Sequence, residues 1–187
     1  LSLKLIIFKK GEFPTMDGIT MPLNDKLVVK FAFEHDLKNI VLALDSVKTS
    51  DNFTFSSPLA YNAIPDLLQL RSSVFELGKI YFLLLDDTET IRGIAEFETS
   101  AISRYITNSV AILSYVSCPS KNLDEFVKGC ASLINKVALC STTKIRTYIP
   151  VDQPEAIESF SHSGFEKAAF LKEEYGKIDV CMMDYFV

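Results

Sequence analysis

Two glutamates in an apolar stretch of the sequence are suited to accept a proton. Glu96 and Glu98 alternate with Ala95 and Phe97. In a β-strand, both carboxylates would lie on one face and the apolar side chains on the other. A carboxylate on a partly buried strand can have a raised pKa and serve as a general base at neutral pH. A solvent-exposed strand face with no catalytic role would give the same alternation. If the chain has a catalytic carboxylate, Glu96 is the best candidate.

No competing motif points to a different chemistry. The sequence has no glycine-rich nucleotide loop, no Gly-x-Ser-x-Gly elbow and no His-Glu-x-x-His helix. Its two histidines, His35 and His162, are too few for a typical histidine-rich metal site. Nothing in the sequence places His162 beside an activated serine. The sequence therefore argues against metal chemistry and gives no support for a serine hydrolase.

The composition predicts one soluble, cytoplasmic domain. With 187 residues, 48% of them hydrophobic, the chain can bury a substantial core. The formal net charge of −5 argues against nucleic acid as a partner. No stretch reaches the roughly 18 unbroken apolar residues of a membrane span, which argues against a membrane partner. Neither zinc-site spacing nor disulfide density is present, and we expect reduced, mostly buried thiols at Cys118, Cys130, Cys140 and Cys181.

The elements that must position Glu96 follow from the spacing of apolar residues. Alternating β-forming residues predict strands, and apolar residues three and four positions apart predict helices. Glu96 falls in a predicted hairpin, and residues 123–138 have the most regular helical pattern. The predicted order is strand 27–33, a helix from 37, helix 60–77, strands 80–85, 91–98 and 109–117, helix 123–138, strand 144–149, a helix from 154, and strands 165–171 and 178–186.

The remaining stretches lie outside this pattern. Residues 11–24 and 49–58 are rich in turn-forming residues and are predicted as loops. Residues 1–8 are predicted as a strand rather than a signal peptide, because a basic leader and a small-residue cleavage site are lacking. We therefore divide the chain into an N-terminal extension, residues 1–25, and one domain, residues 26–187. A strand in the extension could pair with the sheet or with another subunit, so a homodimer is plausible.

Three short segments carry a resemblance to a known family. Residues 31–37 are similar to a strand-to-helix opening with an acidic residue before the helix, and residues 116–119 to the Val-x-Pro end of a fourth strand. Residues 156–165 are similar to a helix that ends in Gly-Phe. With the order of elements, these segments resemble the GNAT superfamily of acyl-coenzyme A-dependent acyltransferases. The resemblance implies an α/β (α+β) fold: a mixed, mostly antiparallel central sheet of about six to seven strands, flanked by about four helices.

The resemblance also implies a coenzyme site and a cosubstrate, acetyl-coenzyme A. In that family the fourth and fifth strands splay apart, and the pantetheine arm lies between them, partly imitating a missing strand. The pyrophosphate lies at the amino end of the third helix, where N–H groups and the helix dipole attract anions. The positions that correspond to this site are Val116, Ser117, Ser120, Lys121 and Asn122.

The sequence departs from the family at two places. Only Gly129 remains of the glycines in the phosphate loop, and it falls late. Asp124 and Glu125 suit the dipole at the helix start, but they would repel a pyrophosphate. Phe160 stands where the family has a tyrosine that protonates the leaving thiolate. The sequence thus lacks the residues by which the family is usually recognised.

Tyr115 and His162 are the candidates to replace the missing proton donor. Tyr115 falls near the end of the central strand, where an interior packing role is the alternative. His162 falls in the last turn of a predicted helix, where it could instead be a partner of the carboxyl-end dipole.

Two functions remain open. The first is an N-acetyltransferase that acts on a primary amine of a small molecule or peptide, and the acidic balance favours a cationic amine. The alternative is a catalytically inactive GNAT-fold module that binds a ligand or protein. An open cleft between the two central strands would favour the enzyme, and a cleft filled by apolar side chains the binding module.

Overall fold

One sheet of nine strands organises the part of the chain that the computed structural model describes, which is residues 19–47, 51–58, 67, 70, 79–99, 109–137 and 142–187. The strands are β1 (Thr20–Asn24), β2 (Leu27–Phe31), β3 (Asn52–Ser56), β4 (Lys79–Asp86), β5 (Ile91–Thr99), β6 (Val110–Pro119), β7 (Lys144–Pro150), β8 (Glu166–Tyr175) and β9 (Ile178–Phe186). The α-helices are α1 (Leu37–Ser46), α2 (Leu123–Val137) and α3 (Pro154–His162), with 3-10 turns at Glu34–Asp36 and Ser120–Asn122.

The central strand β6 has three partners. The main path of the sheet is β1-β2-β4-β5-β6-β7-β9-β8, in which only β6 and β7 are parallel. One edge of β6 pairs with β5. The other edge pairs first with β7, at Val110 to Ile112, and then with β3, at Tyr115 to Pro119. The second edge is therefore divided between two strands.

The central strands of the sheet are apolar on both sides, and both of their faces are covered. In β4, Phe82 and Leu84 belong to the core beneath α2 and α3, whereas Tyr81 and Leu83 belong to the core beneath α1. This is the alternation expected of a strand covered on both faces. Glu96 lies on the same face of the sheet as Tyr81, beneath α1, because the two residues are register partners on β4 and β5.

Helix α2 packs very closely on β1 and β2 at Gly129. A Cβ atom at this position would lie 2.6 Å from Val29 Cγ2 and 2.9 Å from Leu23 Cδ2. Contacts this short are not tolerated by carbon atoms, so the absence of a side chain is what lets the helix approach the sheet. Gly129 therefore serves helix–sheet packing.

The predicted mixed, mostly antiparallel fold is confirmed, but the predicted number of strands was wrong. The sheet has nine strands rather than six to seven, and three α-helices of the about four predicted lie within the described residues. The two additional strands, β1 and β3, lie in stretches predicted as loops. Each has only five residues, which is too short for alternation to stand out among turn-forming neighbours.

Some predicted elements lie outside the described residues. They are the strand at residues 1–8 and most of the helix at residues 60–77, of which Leu67 and Leu70 are described and helical. Leu70 is fully buried in the core beneath α1. Among the cysteines, Cys118, Cys130 and Cys181 are buried free thiols, while Cys140 is not among the described residues. None of the helices in the described ranges is both long and apolar enough to span a membrane.

Candidate functional site

Glu96 is the centre of a polar cluster buried within the sheet, beneath α1. Its carboxylate accepts hydrogen bonds from the Lys79 ammonium at 2.7 Å, the Tyr81 hydroxyl at 2.6 Å and the Ser114 hydroxyl at 2.7 Å. The side chains of Lys79 and Glu96 are only 10% and 13% exposed. We call Glu96, Lys79, Tyr81 and Ser114 the Glu96 cluster. Its ion pair is both desolvated and well supplied with hydrogen bonds.

A bulge in β6 forms part of this cluster. Glu96 lies opposite Tyr115, whereas Phe97 lies opposite Leu113, so that Ser114 is an extra residue in β6. Ser114 is fully buried. Its hydroxyl donates to Glu96, and its carbonyl accepts the Ser57 N–H at 2.8 Å. The bulge thereby connects the Glu96 cluster to the segment that follows β3.

Tyr115 lies beside this cluster with its hydroxyl unused. The hydroxyl is buried and has no hydrogen-bond partner among the described residues. Burial raises the pKa of Tyr115, the nearby Ser117 hydroxyl partly opposes this increase, and the Glu96 charge adds to it. The phenol is therefore neutral near pH 7 and has a proton to donate.

The β6–β7 cleft, the gap where these two strands separate, contains β3. β6 and β7 are paired only from Val110 to Ile112 and from Lys144 to Arg146. Beyond this point, β3 pairs antiparallel with β6. The Ser117 hydroxyl, buried in this pairing, donates to the Val47 carbonyl at 2.9 Å and lies 2.8 Å from the Thr54 hydroxyl. Backbone and side-chain bonds thus both hold β3 against β6.

The aromatic side chains of β3 reach α3 across the cleft. The rings of Phe53 and Phe55 meet Phe160 edge to face, with centroid distances of 5.5 and 5.1 Å. Phe165 contacts the same ring at 5.1 Å. Phe160 is fully buried. The position at which the family has its tyrosine is therefore enclosed by aromatic carbon.

The 3-10 turn that leads into α2 is bonded to the residue just before β3. The Ser120 N–H and hydroxyl both donate to the Asp51 carbonyl, at 3.4 and 3.3 Å. Asp124 forms an ion pair with Lys128 at 2.8 Å. Lys121 is exposed and Asn122 is buried. Asp51, just before β3, thus takes the place that an anion would need at Ser120.

The structure brings together some of the predicted site residues and separates others. Glu96 and Tyr115 are neighbours across β5 and β6. Val116 and Ser117 follow on β6, but both are fully buried, and their free edge pairs with β3. His162 is exposed at the end of α3, and the described contacts do not join it to Glu96 or Tyr115.

Sequence analysis missed Lys79, Tyr81 and β3. A signal for the first two was present, because Lys79 and Tyr81 alternate with Ile80 and Phe82 just as the glutamates do in the next strand. A signal for β3 was the alternation of Phe53 and Phe55. It was obscured by the polar residues between and around the two rings.

In this conformation the residues do not fit coenzyme A. A pantetheine arm would need the β6 edge from Tyr115 to Pro119, which pairs with β3. A pyrophosphate would need the Ser120 N–H, which donates to Asp51. The backbone groups that would otherwise receive the coenzyme are thus engaged by the chain itself.

Solved structures show the same fold. A spermidine N-acetyltransferase from Vibrio cholerae, described as dodecameric and in an intermediate state, is 17% identical, with 87% of this chain and 95% of that chain covered and a TM-score of 0.58. The spermidine/spermine N-acetyltransferase SpeG from Vibrio cholerae in complex with manganese ions is 18% identical, with coverage of 88% and 95% and a TM-score of 0.55. Neither a protein-family model nor a curated protein sequence matches the chain. The fold of the chain is therefore the one that these N-acetyltransferases have, as the GNAT resemblance in the sequence predicted.

Proposed function

We propose that the chain is a GNAT-type N-acetyltransferase that transfers an acetyl or other acyl group from coenzyme A to a primary amine. The observation that carries this proposal is the Glu96 cluster beside the unpartnered hydroxyl of Tyr115. Desolvating an ion pair costs several kcal/mol, and leaving a buried hydroxyl unsatisfied costs about 1–3 kcal/mol. Groups with these costs, on a bulged strand that borders a cleft, are typical of a functional site.

In this proposal Glu96 accepts a proton from the amine and Tyr115 donates one. Glu96 Oε1 accepts hydrogen bonds from both Lys79 and Ser114, whereas Oε2 accepts one from the Tyr81 hydroxyl. A carboxylate oxygen has two lone pairs, so Oε2 can accept a further hydrogen bond from an ammonium. Tyr115, being neutral, can protonate a developing anion. The predicted coenzyme-binding positions are unchanged: Val116, Ser117, Ser120, Lys121 and Asn122. His162 is the second candidate for the proton donor, after Tyr115.

The acceptor that we propose is a cationic amine, either a small molecule or a peptide amine. The net charge of −5 favours the approach of a cation. Spermidine is the first acceptor to test, because the structural neighbours are described as spermidine N-acetyltransferases.

The test is release of the coenzyme A thiol from acetyl-coenzyme A in the presence of a panel of primary amines that includes spermidine. We expect Glu96→Gln and Tyr115→Phe each to lower kcat by about 10²–10⁴, the range for general acid–base catalysis. Glu98→Gln is the matched control, because it removes a carboxylate that pairs with the same Lys79, at 3.6 Å, but is 33% exposed. Transfer no faster than without protein, for every amine, would contradict the proposal.

A second function, that of a non-catalytic GNAT-fold binding module, is favoured by one observation. β3 fills the β6–β7 cleft with Phe53 and Phe55, and Phe160 has no proton to give. The Glu96 cluster would then be purely structural. Unfolding midpoints with and without millimolar acetyl-coenzyme A separate the two functions, because a ligand of the folded state raises the midpoint. A rise supports the enzyme.

A further inference from the structure

One segment of the chain, residues 51–57, pairs with the edge of β6 that β7 leaves unpaired. The strand pairing joins Asn52 through Ser56 to Pro119 through Tyr115. It is extended at both ends, by the Ser57 N–H on the Ser114 carbonyl and by the Ser120 N–H on the Asp51 carbonyl. Backbone groups from the bulge to the start of α2 are therefore satisfied by one continuous segment.

β3 has fewer strand partners than the strands in the centre of the sheet. It has five residues and lies off the main path, with β6 as its strand partner in the described part of the chain. Of its side chains, only Phe55 is fully buried, while Phe53 is half-buried and Thr54 is exposed. Segments with few buried apolar side chains open at a lower free energy than the global unfolding of the domain.

Release of β3 would expose a row of backbone groups on β6 and would uncover the ring of Phe160, which Phe53 and Phe55 contact. β6 would keep its pairing with β5 and with β7, because those contacts use other residues or the other edge. The freed edge borders the bulge at Ser114 and the buried hydroxyl of Tyr115. The strand pairings on both sides of the cleft can therefore persist when β3 is released.

We propose that β3 is an intramolecular gate: acyl-coenzyme A binds only to molecules in which β3 has left the edge of β6. This inference rests on the proposed function. The closed form then lowers the apparent affinity in proportion to the fraction of open molecules, so that one open molecule in about 100 weakens binding about 100-fold. Any partner or modification that holds β3 away from β6 activates the protein by the same factor.

A reversible lock can test this gate. Phe53 lies directly opposite Cys118 in the β3–β6 pairing. Directly opposite residues of an antiparallel pair have Cα atoms about 4.5–5.5 Å apart, within the range that a disulfide spans. Phe53→Cys can therefore be oxidised with diamide to tie β3 to β6. Burial raises the pKa of Cys118 to about 12, so little of the reactive thiolate is present and the oxidation needs a long incubation. Mass spectrometry monitors formation of the disulfide.

We expect calorimetric titration to show coenzyme A binding at least tenfold weaker to oxidised than to reduced Phe53→Cys, with recovery on reduction. Phe53→Ser, treated with the same oxidant, is the matched control and should bind like the reduced form. Equal binding to the oxidised and reduced forms would overturn the gate and leave the proposed function intact. Absence of binding to the wild type, to reduced Phe53→Cys and to Phe53→Ser, all folded, would overturn both.

Hydrogen exchange on the wild type tests the gate without any substitution. Saturating coenzyme A should increase exchange at the amides of residues 52–57, because the ligand displaces them from β6. The amide of Ser120 should become more protected at the same time. Unchanged protection of residues 52–57, with coenzyme A bound, would overturn the gate even if the disulfide did not form.

Discussion

Glu96 and Tyr115 lie directly opposite each other on β5 and β6, yet the tyrosine that donates to Glu96 is Tyr81, from β4 on the other side. The Glu96 carboxylate thus has two tyrosine neighbours, of which one is hydrogen-bonded to it and the other is not. The Tyr81 hydroxyl is bonded to a charged acceptor at 2.6 Å, and the Tyr115 hydroxyl is buried without a partner in the described structure.

The two tyrosines should respond differently to loss of the hydroxyl. Tyr81→Phe removes a hydrogen bond to a charged group and should lower the free energy of unfolding by about 1.5–3 kcal/mol. Tyr115→Phe removes an unsatisfied group and should leave that free energy unchanged or raise it by up to about 1–3 kcal/mol. Urea unfolding of both variants measures the difference. Equal losses would mean that Tyr115 has a partner, such as a bound water.

Restoring the family's tyrosine at position 160 should destabilise the protein. Phe160 is fully buried and contacts Phe53, Phe55 and Phe165. Phe160→Tyr would bury a hydroxyl among rings, at a cost of about 1–3 kcal/mol. Phe186→Tyr is the control and should be neutral, because Phe186 is 64% exposed. Chemical denaturation that finds equal stability for both variants would contradict the enclosed position of Phe160.

Gly129→Ala should destabilise the protein although it favours the helix. Alanine improves helix propensity by about 1 kcal/mol over glycine. The added Cβ, however, would lie 2.6 Å from Val29 Cγ2, and overpacking costs about 1–3 kcal/mol. We expect a net loss of up to about 2 kcal/mol in urea unfolding. The loss should shrink in a Val29→Ala background, which makes room for the methyl group, and the same loss in both backgrounds would contradict the contact.

Asp184 should make the protein sensitive to acid. Arg146 donates to this buried carboxylate at 2.7 and 2.9 Å, and Lys144 at 2.8 Å. The Arg146 hydrogen bonds lower the pKa of Asp184, with smaller help from Lys144 and against the effect of burial. A folded-state pKa below the unfolded value of about 3.9 stabilises the folded state above that pH, and the contribution is lost as the pH falls through the folded pKa.

Asp184→Asn is the variant that tests this pH dependence. It should be less stable than the wild type at pH 7, and the difference in unfolding free energy should narrow below about pH 4, where Asp184 of the wild type binds a proton in the unfolded state more readily than in the folded state. Urea unfolding over a pH series measures this difference. A constant difference between pH 7 and pH 2 would show that the pKa of Asp184 is the same in the folded and unfolded states, and would contradict the lowered folded-state pKa.

Long elements with regular periodicity could be predicted from the sequence almost to the residue. The helix predicted at residues 123–138 is α2, Leu123–Val137, and the last predicted strand coincides with β9. Apolar spacing decides such elements locally. The five residues of β3 could not be predicted in this way, because their conformation depends on an edge of β6 that the local sequence does not contain.

The candidate site was predicted only in part, for a similar reason. Alternation around Glu96 identified the strand face, and the same rule applied to Lys79 and Tyr81 would have identified two more members of the cluster. Which of these side chains meet is set by the register between strands, which one strand's pattern does not determine. The bulge at Ser114 shifts that register by one residue.

The pairing of β3 with β6 also affects the order in which the chain folds. Thr54 and Ser117, which meet in this pairing, are 63 residues apart in the sequence, whereas β4 and β5 are joined by a short turn. Closing a long loop costs more entropy, so contacts between distant residues tend to form late. During synthesis β3 leaves the ribosome well before β6 exists to receive it. Each new molecule should therefore pass through a stage in which its cleft has not yet closed.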